Sequence, residues 1–148
     1  MKAELPINEV LRLKALHDLA ILDSPREQSF DDVALVAMHV CDVPVAVVSL
    51  IDKDRQWFKS CLGLDATETS RDLAFCAHAI LSPDTILVVE DATKDERFLD
   101  NDLVTGEPHI RFYAGAPLVT ESGMSGRVGF TSVLGEGSTF YAEFPIVH

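Results

Sequence analysis

Three features of the chain predict an α+β fold, with an antiparallel sheet shielded by helices on both faces. The run Val43-Pro44-Val45-Ala46-Val47-Val48-Ser49-Leu50-Ile51-Asp52 is apolar on both sides of a two-residue alternation, apart from Ser49, which is the pattern of a central strand covered above and below. Asp52-Lys53-Asp54-Arg55 then turns the chain back into Gln56-Trp57-Phe58-Lys59-Ser60-Cys61-Leu62-Gly63, a strand with Trp57 and Phe58 on opposite faces. Stretches with helical spacing precede and follow this hairpin, and they supply the cover. The hydroxyl of Ser49 in an apolar row hints that one face borders a cavity, although a serine bonded to neighbouring backbone gives the same pattern.

Each element follows in turn. Ile7, Val10, Leu11, Leu16, Leu19 and Ala20 recur at helical intervals and predict a first helix over 8–22. Ser24-Pro25-Arg26-Glu27 predicts a new start, with Ser24 as cap, Pro25 in the first turn and Glu27 closing a capping box. Phe30, Val33, Ala34, Ala37, Val40 and Cys41 then mark an amphipathic second helix ending near Asp42. After the hairpin, 67–72 offers caps for a short apolar helix, Leu73-Ala74-Phe75-Cys76-Ala77-His78-Ala79-Ile80-Leu81, halted by Ser82-Pro83. Ile86-Leu87-Val88-Val89-Glu90 reads as a strand, and Thr93-Lys94-Asp95-Glu96 as a capping box opening a brief helix. Residues 100–102 and 106–108 read as loop, and 111–120 as a strand whose Pro117 sits at a bulge or at a point lacking a ladder bond.

The bulk numbers bound the partners. A chain of 148 residues, 47% hydrophobic, forms one domain that needs no staple. Twelve basic against twenty-four acidic residues leave a net charge of −12, which repels nucleic acid and anionic membranes. Neither a signal-peptide core nor a run of membrane-spanning length is seen, so a cytoplasmic location is expected. Cys41, Cys61 and Cys76 are odd in number and far apart, which suits buried free thiols.

Several blocks in order carry a family resemblance. They are Ile21-Leu22-Asp23-Ser24-Pro25, Phe30-Asp31-Asp32, residues 41–52, residues 54–60, Glu68-Thr69 with Arg71-Asp72, residues 75–80, Asp95 with Arg97-Phe98, and residues 110–117. Over 16–123 the chain resembles a bacterial GAF domain of the kind that precedes sensor kinases and diguanylate cyclases. The resemblance implies a GAF-like (PAS-like) antiparallel central sheet of five to six strands with helices on both faces. It also implies a regulatory module that holds a small molecule between the sheet and its covering helices.

Residues 126–148 depart from that pattern. Gly135-Glu136-Gly137-Ser138-Thr139-Phe140 resembles the last glycine box of a histidine-kinase ATPase domain, so the expected organisation is a GAF domain over 1–125 and a kinase-like terminal hairpin over 126–148. Its first strand would fill a place beside the central strand. No phosphoacceptor helix or magnesium-binding asparagine accompanies it, so the chain is not expected to be a working kinase.

The expected function is therefore a non-catalytic sensory module without cofactor or metal. It would bind an unidentified small molecule, pair with a second copy through its first two helices, and act on a signalling protein. Candidate ligand contacts are Ser49, Trp57, Phe75, Cys76, His78, Asp91, Arg97, Phe98, Arg111 and Tyr113. Trp57, Phe75 and Phe98 could stack on a flat ligand or simply fill the core. Arg97 and Arg111 would anchor an anion, since guanidinium pairs with carboxylate or phosphate. His39 with Cys41, and Cys76 with His78, stand two apart and so cannot chelate a metal from one helix face. Two other readings are a redox enzyme of the free-methionine-sulfoxide-reductase type, centred on Cys76, and a kinase remnant that binds nothing.

Overall fold

The computed structural model describes residues 1–119, 125–127 and 130–133. In chain order the elements are α1 (Glu9–Asp18), α2 (Gln28–Cys41), β1 (Ala46–Ile51), β2 (Arg55–Leu62), β3 (Glu68–Ser70), a 3-10 turn (Arg71–Leu73), α3 (Phe75–Ala79), β4 (Leu87–Val89), α4 (Asp102–Thr105), β5 (Ile110–Gly115), β6 (Pro117–Val119), β7 (Ser125–Arg127) and β8 (Phe130–Val133). Among the described residues the strands are antiparallel and form three hydrogen-bonded groups, β1-β2-β3, β4-β5-β8 and β6-β7, so the expected central sheet of five to six strands is not confirmed. Both β7 and β8 lie against β1. The predicted second strand of the terminal hairpin, beyond residue 137, falls outside the described residues.

The central hairpin forms with Ile51 opposite Gln56, Leu50 opposite Trp57 and Ser49 opposite Phe58. Every residue of β1 is buried. On one face, Ala46 and Val48 meet Ala34 and Ala37 of α2, while Leu50 and Trp57 meet Leu16 of α1. On the other, Val47, Ile51 and Phe58 join Phe75, Phe98, Ile110 and Tyr113 in the largest core cluster.

The pairing slips between Val48 and Ser49, and Lys59 is the extra residue. The slip is a bulge, and bulges re-aim side chains. Both Lys59 and Ser60 consequently reach the α2 side. Lys59 is 1% exposed, and its Nζ donates to Ser24 Oγ at 2.8 Å and to the Pro25 carbonyl at 2.6 Å, with Glu27 Oε2 2.6 Å away. Ser60 Oγ donates to Asp31 of α2 at 2.6 Å.

This arrangement corrects the predicted start of the second helix. Ser24 does not cap it, because its hydroxyl accepts from Lys59 and donates to the Ile21 carbonyl. The cap position falls instead to Glu27, in extended backbone and without a side-chain cap bond. The far end behaves as expected, closing at Asp42 in the left-handed conformation.

The first helix is shorter than its periodicity suggests, ending at Asp18 with Ala20 at φ 52°. Its apolar positions Ile7, Val10 and Leu11 are exposed, whereas Arg12 is 1% exposed. Arg12 pairs with Glu9 in two hydrogen bonds of 2.8 and 2.9 Å and donates to the Ile51 carbonyl at 2.7 Å, so the face that turns inward is chosen by an ionic anchor. Arg71 joins the same carboxylate and also donates to the Asp52 and Lys53 carbonyls.

Two further expectations change. Residues 93–99 form consecutive turns in place of a helix, because Asp91 and Asp95 each accept from the backbone N–H two residues on. Within the predicted loop, Asn101 caps the single turn of α4 by accepting from Leu103 N–H, and its amide donates to the Leu73 carbonyl. The strand predicted over 111–120 is divided at Ala116, just before Pro117, which lacks an N–H.

Candidate functional site

On the face of the hairpin away from α1 and α2 lies a cavity of about 290 Å³. Val47, Gln56 and Phe58 form its floor, Leu64, Ala66 and Thr69 one wall, Phe75 and Cys76 of α3 another, and Leu103, Glu107, Pro108 and Ile110 the cover. Gln56 and Phe58 are two apart on β2 and so share a face, and Thr69 is directly opposite Gln56 on β3. Glu107 is the one charged residue among the described residues of this lining, and it is exposed.

Polar chemistry here is sparse. Gln56 is 7% exposed; its Nε2 donates to Thr69 Oγ1 at 3.3 Å, and its Oε1 has no partner among the described residues. Behind the α3 wall, Ser49 Oγ donates to Cys76 Sγ at 3.2 Å, and Cys76 Sγ lies 3.1 Å from the Tyr113 hydroxyl. Ser49 and Tyr113 are fully buried, so this chain links β1, α3 and β5 across the core. Gly115 leaves room for it: a Cβ there would stand 2.1 Å from the Tyr113 hydroxyl.

Of the residues singled out from sequence, Phe75 and Cys76 line the cavity, while Ser49 and Tyr113 support Cys76 from behind. Phe98 stacks on Phe75, ring centroids 4.0 Å apart and nearly parallel, and His78 meets Phe98 edge-on at 4.7 Å. His78 Nε2 lies 2.9 Å from the Met1 carbonyl, and burial pushes its pKa below the usual imidazole value. Arg97 makes two hydrogen bonds to Asp95, 2.9 and 2.6 Å long, and lies over the Phe98 ring. The hydrogen bonds from Arg97 hold the Asp95 carboxyl below its ordinary pKa.

The remaining candidates are elsewhere. Trp57 packs with Leu16 and Leu50 on the α1 side, because it neighbours Phe58 and must face the opposite way. Arg111 donates to the Val104 and Ile110 carbonyls and so tethers α4 to β5. Asp91 accepts from the Thr93 N–H and hydroxyl in an exposed turn, which lowers its pKa. Sequence reasoning missed Gln56, Thr69 and Glu107. Alternation could have found the first, since Gln56 shares a face with Phe58 and Ser49 once the two-residue turn is recognised. The other two are brought in by loops. Among the described residues, no three His, Cys, Asp or Glu side chains converge as metal ligands would, and no helix is long and apolar enough to cross a membrane.

The GAF domain family profile matches residues 25–138. The chain belongs to the GAF family. It is 42% identical over 120 residues to a cyclic di-GMP phosphodiesterase of Pseudomonas aeruginosa, a match covering 81% of this chain and spanning 20% of that protein's length. Its fold is similar to that of the A. aeolicus NLH2 GAF domain in an inactive state, with a TM-score of 0.55, 12% identity, and coverage of 88% of this chain and 82% of the other. The family match continues past residue 125 through β7 and β8. None of these matches supports the kinase-like reading of 126–148.

Proposed function

We propose that this GAF domain is a sensory or regulatory module without catalytic output of its own, binding a small molecule in the cavity between the hairpin and the α3, α4 and β5 cover. The observation that carries the reading is the cavity itself, near the lower end of the range for small-molecule sites, apolar over most of its wall and furnished with a few polar groups. Its lining comes from elements far apart in sequence, so an occupant would bias their relative arrangement and hence the state offered to a partner.

The relative of P. aeruginosa is named for a phosphodiesterase activity, and this chain matches a fifth of it. In a protein of that design we read the GAF part as the regulator of an output supplied elsewhere. Pairing with a second copy is proposed through α1 and α2, where exposed Val10, Leu11, Leu35, Val36 and Val40 favour association. The redox alternative, centred on Cys76, draws little support: that thiol is buried and sits between the Ser49 and Tyr113 hydroxyls, whereas a redox thiolate must be accessible.

The test is a thermal-shift screen of neutral, cationic and anionic metabolites, repeated on Ala66→Phe, which places a ring inside the cavity. Binding by wild type that Ala66→Phe abolishes supports the reading. Binding unaffected by that substitution would refute it.

A further inference from the structure

The cavity's chemistry narrows what it can hold, an inference that rests on the ligand-binding reading above. Among the described residues of its lining there is no Lys or Arg, and the single charged one is Glu107. Arg97 is engaged by Asp95, and Arg111 by two backbone carbonyls. A phosphate or carboxylate entering this space would lose its water without gaining a counter-ion from the described lining. Acceptors, by contrast, are available. Gln56 Oε1 is shut away from solvent and has no partner among the described residues, an arrangement that is costly in a native core and often explained by function.

We propose that the cavity takes a compact, largely apolar molecule, neutral or positively charged, that carries an N–H donor. The amide of Gln56 turns its Oε1 toward that donor, Thr69 holds the other end of the amide, and Glu107 at the cover, exposed and 3.4 Å from His109 Nε2, adds only a small, salt-screened preference for a cation. Anionic ligands, nucleotides included, are excluded by the same wall.

Calorimetric titration of the full chain with four probes on one bicyclic ring tests this: indole, 1-methylindole, tryptamine and indole-3-acetate. Indole is expected to bind about tenfold tighter than 1-methylindole, which lacks the donor, the order expected of one hydrogen bond to a buried acceptor. Gln56→Leu should erase that difference while retaining both ligands. Tryptamine should equal or exceed indole, and Glu107→Gln should remove any advantage. Indole-3-acetate should bind weakest.

Equal affinity for indole and 1-methylindole in wild type overturns the donor assignment without recourse to any variant. If indole-3-acetate binds tightest and Ala66→Phe abolishes it, the cavity reading stands and the charge assignment falls. If no probe binds, the proposal falls, while the metabolite screen judges the cavity reading independently.

Discussion

The two faces of the central hairpin use polar groups in opposite ways. On the helix side, ionic groups are deeply buried and almost all satisfied: Lys59 has three oxygen partners, and Glu9 joins Arg12 and Arg71, of which only Nη2 of Arg71 lacks an acceptor among the described residues. On the cavity side there are few polar groups, yet the amide oxygen of Gln56, a residue of the lining, is buried with no partner among the described residues. Satisfied charges fix which face of α1 and which register of 24–27 the sheet accepts. An unsatisfied amide next to a void is a structural cost that makes sense at a binding surface. The comparison separates groups that hold the fold from groups free to act.

The largest effect should come from breaking the ionic side. Glu9→Ala leaves buried Arg12 without its carboxylate, and the expected loss is about 3 kcal/mol, read from urea unfolding. A loss under about 1 kcal/mol would mean that the anchor is solvated and that the contrast between the faces is overstated. Lys59→Ala should cost about 2 kcal/mol, because it removes the charged hydrogen bonds that tie Ser24 and Pro25 to β2. Melting of Lys59→Ala and wild type side by side checks this.

Acid sharpens the same contrast. Burial pushes the Glu9 carboxyl up, but hydrogen bonds from Arg12 and Arg71 outweigh it and bring its pKa to about 2, from 4.5. The folded value lies below the unfolded one, so the unfolded chain takes the proton first. The stabilisation is complete above about 4.5 and is lost as pH falls toward and through about 2. Unfolding free energy followed across that window should fall in wild type, with a visibly smaller slope in Glu9→Gln.

The smallest effect should lie on the cavity side, with the opposite sign. Gln56→Leu removes an unpaired buried amide, and stability should rise by up to about 1 kcal/mol while donor-bearing ligands lose affinity. A destabilised Gln56→Leu would indicate that the amide is structural, as on the other face.

Much of this was legible from the residues. The hairpin, its burial on both sides, the opposed directions of Trp57 and Phe58, and the short apolar α3 all follow from alternation and local turn chemistry. The errors share a cause. At α1, the apolar set held both Leu16, which is buried, and Val10 and Leu11, which are exposed, because the Arg12 anchor to the Ile51 carbonyl fixes the Arg12–Leu16 face inward. At 24–27, a sound capping box yielded to Lys59, a residue more than thirty positions away. The candidate-site residues divided similarly: Phe75 and Cys76 were legible because their helix is apolar all round, whereas Thr69 and Glu107 belong to a short strand and a loop whose position no local pattern encodes.

What the sequence determined unaided was the family, the antiparallel hairpin at its centre and the identity of most core residues, because periodicity and neighbouring-residue preferences act over a few positions. Tertiary structure alone decided where the bulge at Lys59 sends its ammonium, which face of α1 is buried, and that Gln56 meets a void. Those outcomes depend on groups distant in the chain competing for the same hydrogen-bond partners and the same space, and such competition is resolved only when the chain has folded.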